Sequence, residues 1–62
     1  MIMKYQVIKT TDNKFLWVIF EVDELNIPVA EAVTGFKFDT MKQDWNLFTF
    51  ISSNYTWIIK QI

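Results

Sequence analysis

The sequence predicts a small, mainly β domain (a small α+β fold) with five antiparallel strands in a bent sheet or open barrel. The expected order is β-β-(short α)-β-β-β. Three observations lead there. Large apolar and β-branched residues recur at every second position along four of five segments, which is the period of a strand. Two dipeptides, Asp12-Asn13 and Ser53-Asn54, have the chemistry of two-residue hairpin turns, since Asp and Asn tolerate positive φ and Ser bonds its own backbone. A single stretch, "ELNIPVAEAVTG", breaks the period and carries helix start and stop signals. With 62 residues the chain makes one domain, residues 1–62.

The first segment, "IMKYQVIKT", alternates Met3, Tyr5 and Val7 with Lys4 and Gln6. A turn at Asp12-Asn13 leads into a second strand from Lys14 to Asp23. Thr11 then pairs with Lys14, and Val7, Tyr5 and Met3 face Val18, Phe20 and Val22 on a continuous apolar side. The opposite side sets Lys4 against Glu21, a cross-strand ion pair worth about 0.2–1 kcal/mol, Ile8 against Trp17, and Ile19 beside Gln6.

In the next segment Asn26 suits an N-cap, Pro28 a first turn and Gly35 the position after the last turn. A short helix over residues 28–34 follows, with Val29 and Val33 on one face; an extended strand through the same residues is the alternative. The last third reads as a meander: "GFKFD" a strand, "TMKQ" a loop, "DWNLFTFIS" a strand, "SN" a turn and "YTWIIKQI" the final strand. Phe50 then pairs with Trp57 and Phe48 with Ile59, aromatic and aliphatic pairs directed at the core. The reverse side carries Trp45 near Ile62, Leu47 near Lys60, Thr49 near Ile58 and Ile51 near Thr56.

That reverse side is too apolar for water. In "FLWVIF" every residue is large and apolar, so both faces of a strand built from it repel solvent. Trp17 and Ile19, flanked by Ile8 and Phe15, are left uncovered by so short a chain, and Trp45, Leu47 and Ile58 extend the exposed surface. Contiguous apolar patches of this kind mark interaction sites, and Trp is enriched in interface hot spots. These seven residues are the candidate protein interface. A second copy is the first expected occupant, as a homodimer or higher homo-oligomer, because most soluble oligomers are homo-oligomers; a host protein is the other.

Composition removes most alternatives. There is no Cys and no His, so disulfide staples, the usual structural zinc sites, the commonest general base and the best thiol nucleophile are all missing. Ser52 and Ser53 are turn residues, and Asp23, Glu24, Asp39 and Asp44 flank turns and helix starts as caps and solvated loop ends. One glycine cannot make a phosphate-cradling loop. The expectation is a protein that is not an enzyme and uses no cofactor and no metal. Single-stranded nucleic acid, stacked on Trp17, Trp45 and Trp57 between scattered lysines, is the alternative function. An acidic pI near 5.0 and a net charge of -1 with no arginine argue against it.

No apolar run approaches the roughly 20 residues of a membrane-spanning helix, and the first ten residues lack the features of a secretory signal. The expected location is the cytoplasm, that of a host cell if a phage encodes the chain. Phe, Tyr, Met, Ile, Asn and Lys far outnumber Gly, Ala, Arg and Pro, the bias of an AT-rich genome. In size, bias and lack of chemistry the chain resembles small phage or mobile-element accessory proteins, a type that commonly acts by binding a host protein.

Overall fold

The hairpin of the last third closes in the expected register. In the computed structural model, which describes residues 1–62, β4 (Leu47–Ile51) and β5 (Thr56–Gln61) set Phe48 against Ile59 and Phe50 against Trp57. The Ser52 N–H donates to the Tyr55 carbonyl at 2.9 Å across the Ser53-Asn54 turn. β1 (Met3–Thr10) and β2 (Ile19–Val22) also pair as the alternation requires, with Met3, Lys4, Tyr5 and Gln6 opposite Val22, Glu21, Phe20 and Ile19. With β3 (Thr40–Asp44) the strands make one open antiparallel sheet in the order β2-β1-β5-β4-β3. The expected order of elements holds, with one short helix, α1 (Ile27–Thr34), between β2 and β3.

The helix starts where its cap dictates. Asn26 is extended (φ -144, ψ 179), and its Oδ1 accepts the Val29 N–H at 3.1 Å, satisfying one of the donors that a first turn leaves free. Gly35, at φ 77, ends it in the left-handed conformation that glycine adopts without a steric cost, and its N–H returns to the Glu31 carbonyl at 2.9 Å. The buried residues of the helix are Ala30 and Thr34; of the Val29–Val33 pair, Val29 packs against the core and Val33 is exposed. Asn26→Ala is expected to lower stability by about 1 kcal/mol, seen as a lower midpoint in urea with an unchanged slope.

Three elements depart from the sequence reading. The second strand is short, because "FLWVIF" does not run as one strand. The Val18 N–H donates to the Phe15 carbonyl at 3.0 Å, closing a turn over residues 15–18 in which Trp17 has φ 70. The same Trp17 and Val18 together oppose Val7: the Trp17 N–H donates to the Val7 carbonyl at 2.7 Å, and the Val7 N–H to the Val18 carbonyl at 3.0 Å. This is a bulge whose first residue is left-handed, a position usually given to glycine. What outweighs the strain is packing. The turn carries the Phe15 ring round to Trp57, at a centroid distance of 5.8 Å, where an unbroken strand would have pointed it the other way. The Asp12-Asn13 turn is therefore replaced by a longer connection, residues 11–18.

The third strand is also displaced. "GFKFD" is not a strand, and "TMKQ", read as a loop, is most of β3. The N–H groups of residues 36–38 find side-chain partners outside any ladder: Phe36 donates to Thr34 Oγ1 at 3.1 Å, Lys37 to the Tyr55 hydroxyl at 3.0 Å and Phe38 to Glu31 Oε2 at 2.9 Å. Freed from the sheet, Phe36 and Phe38 both turn inward onto Trp57, at 5.3 and 6.1 Å. Trp45 does not lie beside Ile62. It forms the two-residue β3–β4 turn with Asn46, at φ 58 and 91 % exposed.

The core lies on one side of the sheet. Tyr5, Val7, Phe48, Phe50, Trp57 and Ile59 from the strands meet Leu25, Ala30 and Phe38 from α1 and its flanks. A bulge in β1 between Val7 and Lys9, where Ile8 is the extra residue, shifts the alternation by one. Thr10 is thereby brought to the core side opposite Trp57.

Candidate interaction face

The sheet has a second side, and no element of the chain lies over it. Its rows can be read across the strands. One runs Ile19, Gln6, Lys60, Leu47, Asp44, and the next runs Lys9, Ile58, Thr49, Lys42. Ile51, between Thr56 and Thr40, completes the far end. None of these residues is buried; Ile8, Leu47, Ile51 and Ile58 are half-buried and Ile19 is 52 % exposed.

Charge on this face is organised in a way the sequence did not reveal. Lys4, Lys9, Lys42 and Lys60 all occupy outward positions and are exposed, against only Glu21 and Asp44. The other carboxylates, Asp12, Asp23, Glu24, Glu31 and Asp39, belong to α1 and the connections. A chain with a net charge of -1 thus presents a locally positive sheet face. The signal was present in the alternation of β3, where Lys42 and Asp44 share a side, but that alternation could be used only once the segment was known to be a strand.

Of the seven sequence-selected residues, Ile8, Ile19, Leu47 and Ile58 gather on this face. Trp17 is 60 % exposed at the β2 end, with its carbonyl accepting a hydrogen bond from Gln6 Nε2 at 3.2 Å. Phe15 does not belong with them: it packs on Trp57 on the core side. Trp45 stands apart at the tip of the β3–β4 turn. Ile51, overlooked as a candidate, joins the set.

The tryptophans do not form one stacking platform. Trp57 is fully buried, and every aromatic residue within the five strands, Tyr5, Phe20, Phe48, Phe50 and Trp57, turns to the core side. Nor do the acidic residues build a metal centre. Glu21, Asp23 and Glu24 line a shallow open hollow with Ile2, Val22, Asn26 and Val29, yet no group of three or more His, Cys, Asp or Glu side chains is placed to hold an ion. The Tyr5 hydroxyl is pushed above its ordinary value by burial first and by the Glu24 carboxylate second, so it stays neutral.

Comparison with known proteins yields no match to a family model, a curated protein or a solved structure. No helix is long and apolar enough to cross a membrane.

Proposed function

We propose that this chain is a non-catalytic binding module, an accessory protein of a phage or mobile element, whose bare sheet face docks on another protein in the host cytoplasm. One observation carries the reading: a two-sided sheet has a helix and its flanking segments over one side and nothing over the other, while the open side keeps Ile8, Ile19, Leu47, Ile51 and Ile58 together. An apolar centre with charges interleaved is the anatomy of a protein interface. The four lysines ask for a partner whose apolar surface is rimmed by carboxylates, which would speed encounter and fix orientation more than raise affinity.

A second reading, single-stranded nucleic acid, draws support from the gathering of four of the six lysines on one face. It lacks the stacking rings that such binding uses. Binding to an oligonucleotide that persists at physiological salt would favour it over the protein reading.

The test of the main reading is comparative capture from host lysate with wild type, Ile19→Lys and Ile58→Lys. Ile58→Lys places a further ammonium in the middle of the sheet face and Ile19→Lys places one at its β2 edge. Ile19→Lys, at a 52 % exposed position on an edge strand, is expected to melt close to wild type, since exposed substitutions usually change stability by about 0.5 kcal/mol or less. Ile58→Lys, half-buried on β5, is expected to melt lower but still cooperatively. Each is expected to lose the captured protein by tenfold or more. A protein retained equally by all three would show that the face does not hold it.

A further inference from the structure

We propose that two copies of this chain join edge to edge through β3, antiparallel about a two-fold axis at Gln43, so that Lys42 of each copy lies opposite Asp44 of the other. The sheet then runs to ten strands. This pairing uses a strand edge and leaves the lysine-bearing face open, so it stands independently of the docking function.

The free groups of that edge follow from the hydrogen bonds of its neighbours. Across the β4–β5 ladder, the Ser52 N–H donates to Tyr55 and the Gln61 N–H to the Asn46 carbonyl at 2.8 Å. The even-numbered residues of this stretch thus bond towards β5, and Leu47, Thr49 and Ile51 are left to bond Asp44, Lys42 and Thr40. In β3, therefore, Met41 and Gln43 direct their N–H and C=O groups away from the sheet. An edge of this kind is a template for a further strand.

Charge then selects the register. An antiparallel two-fold pairing of β3 with itself can centre on Met41, Lys42, Gln43 or Asp44; a centre between residues would set a bonded group against a free one. Centring on Lys42 or on Asp44 brings like charges face to face, which is destabilising. Centring on Met41 sets Lys42 against Thr40 and gains no ion pair. Only Gln43 at the axis gives Lys42 opposite Asp44, and it does so twice. The other edge has no such solution: β2 offers Ile19 and Glu21 outward, its self-pairings oppose Glu21 to Trp17, Ile19, itself or Asp23, none of them an ion pair, and Asp23 and Glu24 follow at once. The association consequently closes at two copies rather than growing into a filament.

The same register accounts for Trp45. A bulky residue at φ 58 in a two-residue turn, 91 % exposed, is strained and gains no packing within its own chain. Pairing about Gln43 sets Trp45 of one copy opposite Met41 of the other, and Met41 is half-buried against the core at the open end of the sheet. The indole gains a cover there, and the core gains a lid. The pairing is reversible: the accessible area of one chain, 4196 Å², is close to the roughly 4200 Å² of a folded monomer of this mass, so each copy is already a complete folding unit.

Sedimentation of wild type from micromolar to millimolar concentration is expected to show a monomer–dimer equilibrium. Lys42→Asp and Asp44→Lys should each weaken self-association by about tenfold or more, because both cross-strand contacts change from attractive to repulsive. The double swap K42D/D44K should restore it, and an equimolar mixture of the two single variants should form the heterodimer, in which every contact again joins opposite charges. Circular dichroism of each variant verifies the fold, both side chains being exposed. A wild type that stays monomeric, single variants that associate as wild type does, or a double swap and mixture that fail to recover would each overturn the proposal.

Discussion

Replacement of Trp57 by alanine is expected to leave the protein largely unfolded at room temperature. Trp57 is fully buried, and its indole is the meeting point of Phe15, Phe36 and Phe38, with ring centroids at 5.8, 5.3 and 6.1 Å. All three partners come from two segments without regular secondary structure. The indole is therefore what holds the 11–18 connection and the stretch after α1 onto the sheet. Deleting a buried aromatic side chain typically costs about 3–5 kcal/mol, and an unstapled domain this small commands about 3–5 kcal/mol in total. Loss of the cooperative urea transition and collapse of the near-ultraviolet circular dichroism signal are the expected readouts. Trp57→Phe should retain the transition at a lower midpoint. It keeps a ring in the site and removes an indole Nε1–H that is buried without a partner. A folded, cooperative Trp57→Ala would mean that the aromatic cluster is not what anchors the loops.

The second large effect concerns the seat of the helix. Ala30 has no exposed surface and stands where α1 meets the sheet. Leucine is nearly as good a helix former and adds apolar area, yet Ala30→Leu is expected to destabilise by about 1–3 kcal/mol, because three extra carbons must displace close-packed neighbours. Val33→Leu, three residues on but 38 % exposed, should be neutral within about 0.5 kcal/mol. Thermal melts of the two variants side by side test the helix orientation, with Ala30 inward and Val33 exposed. The reverse ranking would put Val33 inward.

The sequence was legible where local pattern and tertiary demand coincide. Tyr5, Val7, Phe48, Phe50, Trp57 and Ile59 were assigned to the core side by alternation alone, and the Ser53-Asn54 turn fixed the β4–β5 register. Asn26, Pro28 and Gly35 marked the helix correctly because caps are short-range chemistry. Its inward face was not legible, because close approach to the sheet selects Ala30 and Thr34, which hydrophobicity does not mark. β3 was missed for the opposite reason. "TMKQD" is polar on an edge, where water replaces a neighbouring strand, so the apolar signal of a strand is absent. "GFKF" imitated a strand, since nothing local reveals that a tyrosine hydroxyl and a glutamate further along the fold will satisfy its backbone.

The candidate site followed the same rule. Ile8, Ile19, Leu47 and Ile58 sit on regular strands, and alternation found them. Phe15, Trp17 and Trp45 all lie at positive φ, a conformation that aromatic residues seldom adopt and that no propensity predicts. Phe15 was consequently assigned to the wrong side, and Trp45 to a strand when it forms a turn.

The position of the central ladder has a kinetic consequence. β1 and β5 are neighbours in the middle of the sheet, and Val7 meets Ile59 there although nearly the whole chain separates them. The β1–β2 and β3–β4–β5 pieces can each zip up from contacts close in sequence, but neither encloses a core by itself. The entropy of closing the intervening loop grows only slowly with its length, by about 0.6 kcal/mol per doubling. Delay therefore arises because the β1–β5 contacts give no return until the two pieces meet in register. Folding of this domain is then a docking reaction within one molecule, with the rate set by the encounter of two preformed halves and the helix riding in the tether between them.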